Sequence, residues 1–163
     1  MNIIFIGFKA VGKSFIGNEI AKLLKKDFFD VDKIMLDLSK KKNITELFKE
    51  NEAFSFYENE TLKILEYKKN SVISFGGRTL LNPNVLKFKK FSFFILLEEE
   101  KEILRKRITK DSIFQDQKYF DEEYENRKLI YEEFKNIKIL TRNRNFKEIL
   151  NEIIENEQFR RYF

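Results

Sequence analysis

The segment Asn2–Ser14, N-I-I-F-I-G-F-K-A-V-G-K-S, constrains the fold more than any other part of the chain. An apolar run from Ile3 to Ile6 ends at Gly7. Phe8-Lys9-Ala10-Val11 lead to Gly12, Lys13 and Ser14 follow at once, and Phe15, Ile16, Ile20, Leu23 and Leu24 continue at helical spacing. The pattern is a strand, a turn of the form G-x4-G-K-[ST] and an amphipathic helix. In that arrangement main-chain N–H groups turn inward around a phosphate, and the positive end of the helix adds to the attraction. A plain strand-to-helix turn does not require Lys-Ser after the second glycine. The expected nucleotide contacts are Gly7, Lys9, Ala10, Val11, Gly12, Lys13, Ser14 and Phe15. Lys13 would reach the β- and γ-phosphates of a nucleotide as a mobile point charge, and the Ser14 hydroxyl would bind Mg²⁺.

The rest of the chain repeats the alternation. Phe28–Asp32, Ser71–Phe75, Phe91–Leu97 and Ile137–Leu140 read as short buried strands. Helical patterns cover Ile34–Leu38, Thr45–Glu50, Ala53–Lys68, Glu100–Ile108, Asp121–Phe134 and Asn145–Glu157. Apolar strands alternating with helices predict a three-layer α/β/α fold with a central parallel sheet of about five strands. At 163 residues the expectation is a single domain over 1–163. Charged residues of both signs make up 36%, and no apolar run approaches the ~20 residues of a membrane-spanning helix, so no membrane partner is expected. The run into an apolar strand without a basic leader and a cleavage site points to a cytoplasmic location.

The chain has no cysteine and no histidine. Thiol nucleophiles, disulfides and thiolate metal sites are excluded, and the commonest general base is missing. Chemistry falls to carboxylates, Lys, Arg, backbone amides or a bound cation. The net charge of +5 comes from lysines scattered among acids, with Lys40-Lys41-Lys42 only a short block. An AT-rich genome that enriches Lys, Asn, Ile and Phe gives the same count and is the preferred reading over nucleic-acid binding; the balance also suits a small anionic substrate.

In parallel α/β sheets ligands bind beyond the carboxyl ends of the strands. Those ends carry Gly7, Asp30 and Asp32, Gly76-Gly77 and Glu98. The glycines are few: Gly7, Gly12, Gly17, Gly76 and Gly77. Since glycine costs backbone entropy, they mark places where no side chain fits. Gly17, one turn into the first helix, reads as a packing contact. Asp30 and Asp32 would point the same way from an extended chain, one supporting Mg²⁺ and the other accepting a proton from a substrate hydroxyl; equally, Asp32 is of the type that N-caps a helix starting at Lys33. Gly76-Gly77 would let backbone N–H groups approach an anion or form a tight turn, and Arg78 adds a positive charge beside them. Arg105 and Arg107 offer a surface for adenine or a solvated basic face, and Arg127 is a candidate anion clamp.

Together these residues resemble the shikimate kinase family of small P-loop kinases, which have the nucleoside-monophosphate-kinase-like fold. The likeness runs through I-F-I-G-F-K-A-V-G-K-S-F-I-G, F-F-D-V-D, S-F-G-G-R and N-R-K-L-I-Y. It implies transfer of the ATP γ-phosphate to the 3-hydroxyl of shikimate with Mg²⁺, by a monomer. Asp30 then matches the metal-associated acid and Asp32 the catalytic acid that holds the substrate hydroxyl. Gly76 and Gly77, with Arg78 beside them, lie along the substrate, Arg127 grips its carboxylate, and Arg107 is the adenine-side arginine. Residues 33–68 would form the substrate-binding helical segment and 110–120 the lid. Three departures stand out. Ser55 occupies the arginine position of the F-R-x-x-E motif, here Phe54-Ser55-Phe56-Tyr57-Glu58. Arg78 replaces the third glycine. The lid reads I-F-Q-D-Q-K-Y, with Asp116 or a neighbour where an arginine is expected, leaving Arg78 or Lys118 to compensate. The alternatives are a kinase with another hydroxyl acceptor, or a nucleotide-binding module with little turnover.

Overall fold

The middle strand follows from the opening apolar run. In the computed structural model, which describes residues 1–109 and 112–163, β1 (Asn2–Ile6) is buried along its whole length. It pairs in parallel with β3 (Val72–Ser74) on one side and β4 (Ser92–Glu98) on the other. Beyond them lie β2 (Phe28–Asp30) and β5 (Ile137–Leu140), giving the parallel order β2-β3-β1-β4-β5. A strand buried on both faces has no solvent-facing register, so its sequence is continuously apolar instead of alternating.

Side chains alternate across the strands, and adjacent aromatics show what covers each face. Phe93 packs edge-on against Phe159, with ring centroids 5.8 Å apart, whereas Phe94 packs on Phe134 at 5.6 Å. One face is covered by α1 (Lys13–Leu24), α7 (Phe146–Glu155) and α8 (Glu157–Arg160), the other by α6 (Gln117–Phe134) and a 3₁₀ segment at Pro83–Lys90. The remaining helices are α2 (Val31–Ser39), α3 (Ile44–Phe48), α4 (Asn51–Glu66) and α5 (Lys101–Arg107), and a short 3₁₀ turn occupies Thr79–Leu81.

The expected order of strands and main helices holds; two 3₁₀ segments and the short α8, which continues past the expected end of the last helix, are additions, and other differences lie at ends set by capping. α6 begins at Gln117, four residues before the periodic pattern, because the Asp116 carboxylate accepts from the Tyr119 N–H at 2.7 Å. α2 begins at Val31. The chain is extended only as far as Asp30, whose side chain caps the helix by accepting from the Lys33 N–H at 3.2 Å. This corrects two readings at once: Asp32 is not the cap, and Asp30 and Asp32 do not share one side of an extended chain. The 3₁₀ segment at Pro83–Lys90, which buries Val85 and Phe88, has no counterpart in the expected order; its apolar positions are too few and too short a run to mark a helix.

Candidate active site

The strand order brings together what the sequence separates. Since β2, β3 and β1 are neighbours, with Asp30 and Phe5 both in register with Ser74, the segments after these strands emerge side by side. Gly7-Ser14, Asp32 and Gly76-Gly77 therefore meet at one end of the sheet, at a cavity of ≈ 380 Å³.

The loop after β1 depends on backbone geometry that glycine supplies. Gly7 has φ 141°, and a Cβ there would lie 2.3 Å from the Leu97 carbonyl oxygen; Gly12, the N-cap of α1, has φ 102°. Ala10, between them, takes the left-handed φ of 67°. Lys13 is buried, and its ammonium donates to the carbonyl oxygens of Gly7 and Phe8, both at 2.8 Å. Burial lowers its pKa to about 8 against the opposing pull of Asp32 and Asp30. Ser14 Oγ lies 3.4 Å from Ser74 Oγ, and Phe15, exposed and edge-on to Phe146 at 5.2 Å, lines the cavity mouth.

Asp32 projects from the first turn of α2 against the backbone of Gly76, where a Cβ would come within 2.5 Å of its Oδ1. Burial and the neighbouring Asp30 raise its pKa to about 6, opposed by Lys13 and Lys9. Glycine at 76 is thus explained by the close approach of the Asp32 carboxylate and of Thr79 Oγ1, 3.0 Å from the same notional Cβ. The Gly77 carbonyl accepts from Arg127 Nη1 at 3.2 Å and from the Tyr131 hydroxyl at 2.6 Å, tying this turn to α6.

Arg127 is buried, its guanidinium over the adjoining rings of Phe8 and Phe114, at 5.1 and 5.2 Å, the two rings lying 5.1 Å from each other. Its Nε donates to Glu123 Oε2 at 2.9 Å, and Nη2 pairs with the same oxygen. Arg78 stacks on Phe48 at 4.8 Å and approaches Glu123 at 3.4 Å. Both arginines line the cavity, together with Lys9, Lys13, Asp32 and Glu58.

Several expected residues lie behind or beside this wall. Gly7, Val11 and Asp30 are buried beneath the loop and do not line the cavity. Arg107 lies on the outer side of the loop, donating to the Ala10 carbonyl at 3.4 Å and to the buried Glu99 at 3.1 Å. Arg105 stacks on Phe120 at 5.2 Å. Gly17 is a packing residue, as expected, with Phe28 and Phe5 at 2.9 and 3.2 Å from a notional Cβ. Of the lid, Ile113 and Phe114 line the cavity, Asp116 is occupied in capping, and Lys118 turns to solvent beside Glu122. Lys118 therefore does not face the site; Arg78 does. Lys110 and Asp111 lie outside the described residues.

Sequence reasoning missed Glu58 and Glu123. Glu58 is buried, held by the Asn82 amide at 2.9 Å, and burial raises its pKa. Its spacing with Thr61, Leu62 and Leu65, the buried face of α4, was the available signal: an acid on an apolar stripe. A second cavity, also ≈ 380 Å³, shares Phe48, Phe54, Glu58 and Arg78 with the first and adds Ser55.

A parallel five-stranded sheet with this loop at its carboxyl end is the fold of the P-loop kinases of the nucleoside-monophosphate-kinase-like group. The family model for shikimate kinase matches residues 9–158. A shikimate kinase of Clostridium botulinum (strain ATCC 19397 / Type A) is 36% identical over 163 residues, covering 94% of each chain. One from Enterococcus faecalis is 34% identical, covering 94% of this chain and 96% of its own. Among solved structures, shikimate kinase from Aquifex aeolicus superposes with a TM-score of 0.81 at 28% identity, over 94% of each chain. The Acinetobacter baumannii enzyme, solved in complex with shikimate, shares the fold with a TM-score of 0.85 at 22% identity, over 94% of this chain and 90% of its own. The chain belongs to the shikimate kinase family.

Proposed function

We infer that this chain transfers the γ-phosphoryl group of ATP to the 3-hydroxyl of shikimate. One observation carries the residue assignments: a G-x4-G-K-S loop, a carboxyl with a raised pKa and two arginines converge on a single cavity. In the proposed arrangement the loop amides and Lys13 take the β- and γ-phosphates. Phe15 and Arg107 flank the nucleotide from the outer side. The acceptor lies along Gly76-Gly77, its hydroxyl toward Asp32 and its carboxylate toward Arg78 and Arg127. With its pKa raised to about 6, Asp32 is mostly ionised at neutral pH and positioned as a base. The hydroxyl oxygen forms its bond to the γ-phosphorus as the bond to the ADP oxygen breaks, and the hydroxyl proton passes to Asp32. Positioning and charge neutralisation supply most of the acceleration.

Mg²⁺ fits the donor set at this end of the sheet. The ion keeps several waters and takes few protein oxygens: Ser14 Oγ, which lines the cavity, would hold it directly, and the Asp30 carboxylate, buried behind the wall with Oδ1 capping α2, only through water. Bound there with ATP, it would neutralise charge developing on the phosphates.

The chain is read as one domain of 1–163, with residues 33–68 as its substrate-binding segment and 110–120 as its lid. The working form is proposed to be a cytoplasmic monomer without nucleic-acid or membrane partners. No described helix is long and apolar enough to cross a membrane.

A coupled assay of ADP release with ATP, Mg²⁺ and shikimate tests the function. Shikimate-dependent turnover is expected, and ATP binding without transfer to shikimate would overturn it. The cavity beside Ser55 favours one alternative, an acceptor bulkier than shikimate; turnover confined to such a compound would identify it.

A further inference from the structure

Among the described residues, Arg78 and Arg127 are the arginines that line the cavity, and they are not equivalent. Arg127 is 3% exposed and heavily committed. Its Nε and Nη2 both donate to Glu123 Oε2, and Nη1 donates to the Gly77 carbonyl. One hydrogen on each terminal nitrogen is left for a ligand. Arg78 is 32% exposed, and its link to the same Glu123 oxygen is a long contact of 3.4 Å from Nη1 alone. The remaining N–H groups of its planar fork have no partner among the described residues, and Phe48 supports the guanidinium plane at 4.8 Å. Lys9 and Lys13 lie on the loop side of the cavity near Asp32, while Asp32 and Glu58, the acids that share the wall with the two arginines, repel an anion.

We propose that Arg78 is the principal specificity-determining arm of a two-guanidinium clamp for the acceptor carboxylate, aimed by Glu123, the acid it shares with Arg127. The inference rests on the phosphotransfer reading above and deepens it. Glu123 fixes Arg127 rigidly while holding Arg78 loosely enough to exchange partners, so the incoming carboxylate meets a preset edge and a responsive fork. A planar fork matches a carboxylate in two parallel hydrogen bonds, which an ammonium cannot reproduce. Glu123 acts through the arginines and is a positioning residue.

The test is steady-state kinetics of the full chain with shikimate and with its methyl ester, which lacks the negative charge. The wild type should prefer the acid. Loss of charge-assisted hydrogen bonds in Arg78→Met should raise KM for the acid about 10- to 100-fold, with a smaller fall in kcat. KM for ATP should move less than about twofold, and the preference for acid over ester should shrink by a similar factor to the acid KM rise. Arg78→Lys should recover part of that preference. Glu123→Ala should erode it, and Glu123→Gln, whose amide oxygen still accepts from Arg127, should restore most of it.

Equal losses for acid and ester in Arg78→Met, or an unchanged acid KM, overturn the clamp. If that variant fails to fold, the wild type still decides: equal handling of acid and ester overturns the clamp while leaving the kinase activity intact. A wild type that phosphorylates neither compound refutes the kinase reading, and the clamp falls with it.

Discussion

Asp32 and Lys13 face each other with their pKa values pushed toward neutrality from opposite sides, to about 6 and about 8. For Asp32 the folded state raises the pKa, so the native protein binds the proton more tightly than the unfolded chain does. Stability therefore falls as pH rises between the ordinary carboxylate value and about 6, and the ionised carboxylate costs roughly 2–3 kcal/mol above that window. Catalysis requires the form that stability disfavours. Asp32→Asn should accordingly raise the melting temperature at pH 7.5 while lowering kcat by about 10²- to 10⁴-fold; a fall in both would show that the carboxylate is a structural anchor. In the wild type kcat should climb as pH passes through about 6, to be read from a rate profile between pH 5 and 8. Lys13→Met removes the charge nearest the proposed phosphates, and kcat/KM for ATP should drop about 10²-fold or more. Unchanged ATP affinity by calorimetry together with unchanged transfer would remove the loop from the mechanism. The position of Asp32 beside the loop was legible from F-F-D-V-D at the end of a strand. Its raised pKa was not, because desolvation depends on what packs around the carboxyl.

At the scale of elements, helix ends decide where side chains arrive. Asp30 caps α2 and so places Asp32 in the first turn of the helix, facing Gly76. Asp116 caps α6, the helix on which Glu123 and Arg127 lie one turn apart and from which Arg127 reaches the cavity. Asp116→Ala should lower stability by about 1 kcal/mol and fray the first turn of α6, detectable as faster amide exchange at Tyr119. Exchange unchanged there would mean that packing of Phe120, fully buried, holds the helix start without the cap. The contact between α1 and the sheet depends on Gly17, and Gly17→Ala forces a methyl against Phe28 and Phe5. A destabilisation of about 1–3 kcal/mol is expected, measured by urea unfolding, and a neutral result would show that the Phe28 ring can turn aside. The sequence marked Gly17 as a packing residue because a glycine inside a helix is unfavourable without a reason. It gave no sign of the Phe28 ring, which comes from a separate strand.

For the whole molecule, the parallel sheet is both core and scaffold: the strands that bury Ile3, Ile4, Phe5 and Phe94 also deliver the site residues at their carboxyl ends. Ligand that binds only the folded chain should stabilise all of it, and ATP with Mg²⁺ at about 100 times its dissociation constant should add about 2.7 kcal/mol. A melting temperature unmoved by nucleotide would contradict the proposed site. Local chemistry determined the element types, the phosphate loop and the parallel α/β class, because apolar runs, glycines and caps act over a few residues. Tertiary structure alone decided that β2 and β3 lie on the same side of β1, that Arg78 lines the cavity while Lys118 turns to solvent, and that one oxygen of Glu123 holds two arginines. These facts depend on distances between segments far apart in the chain, and such distances are set by how the sheet and its helices close over a common core.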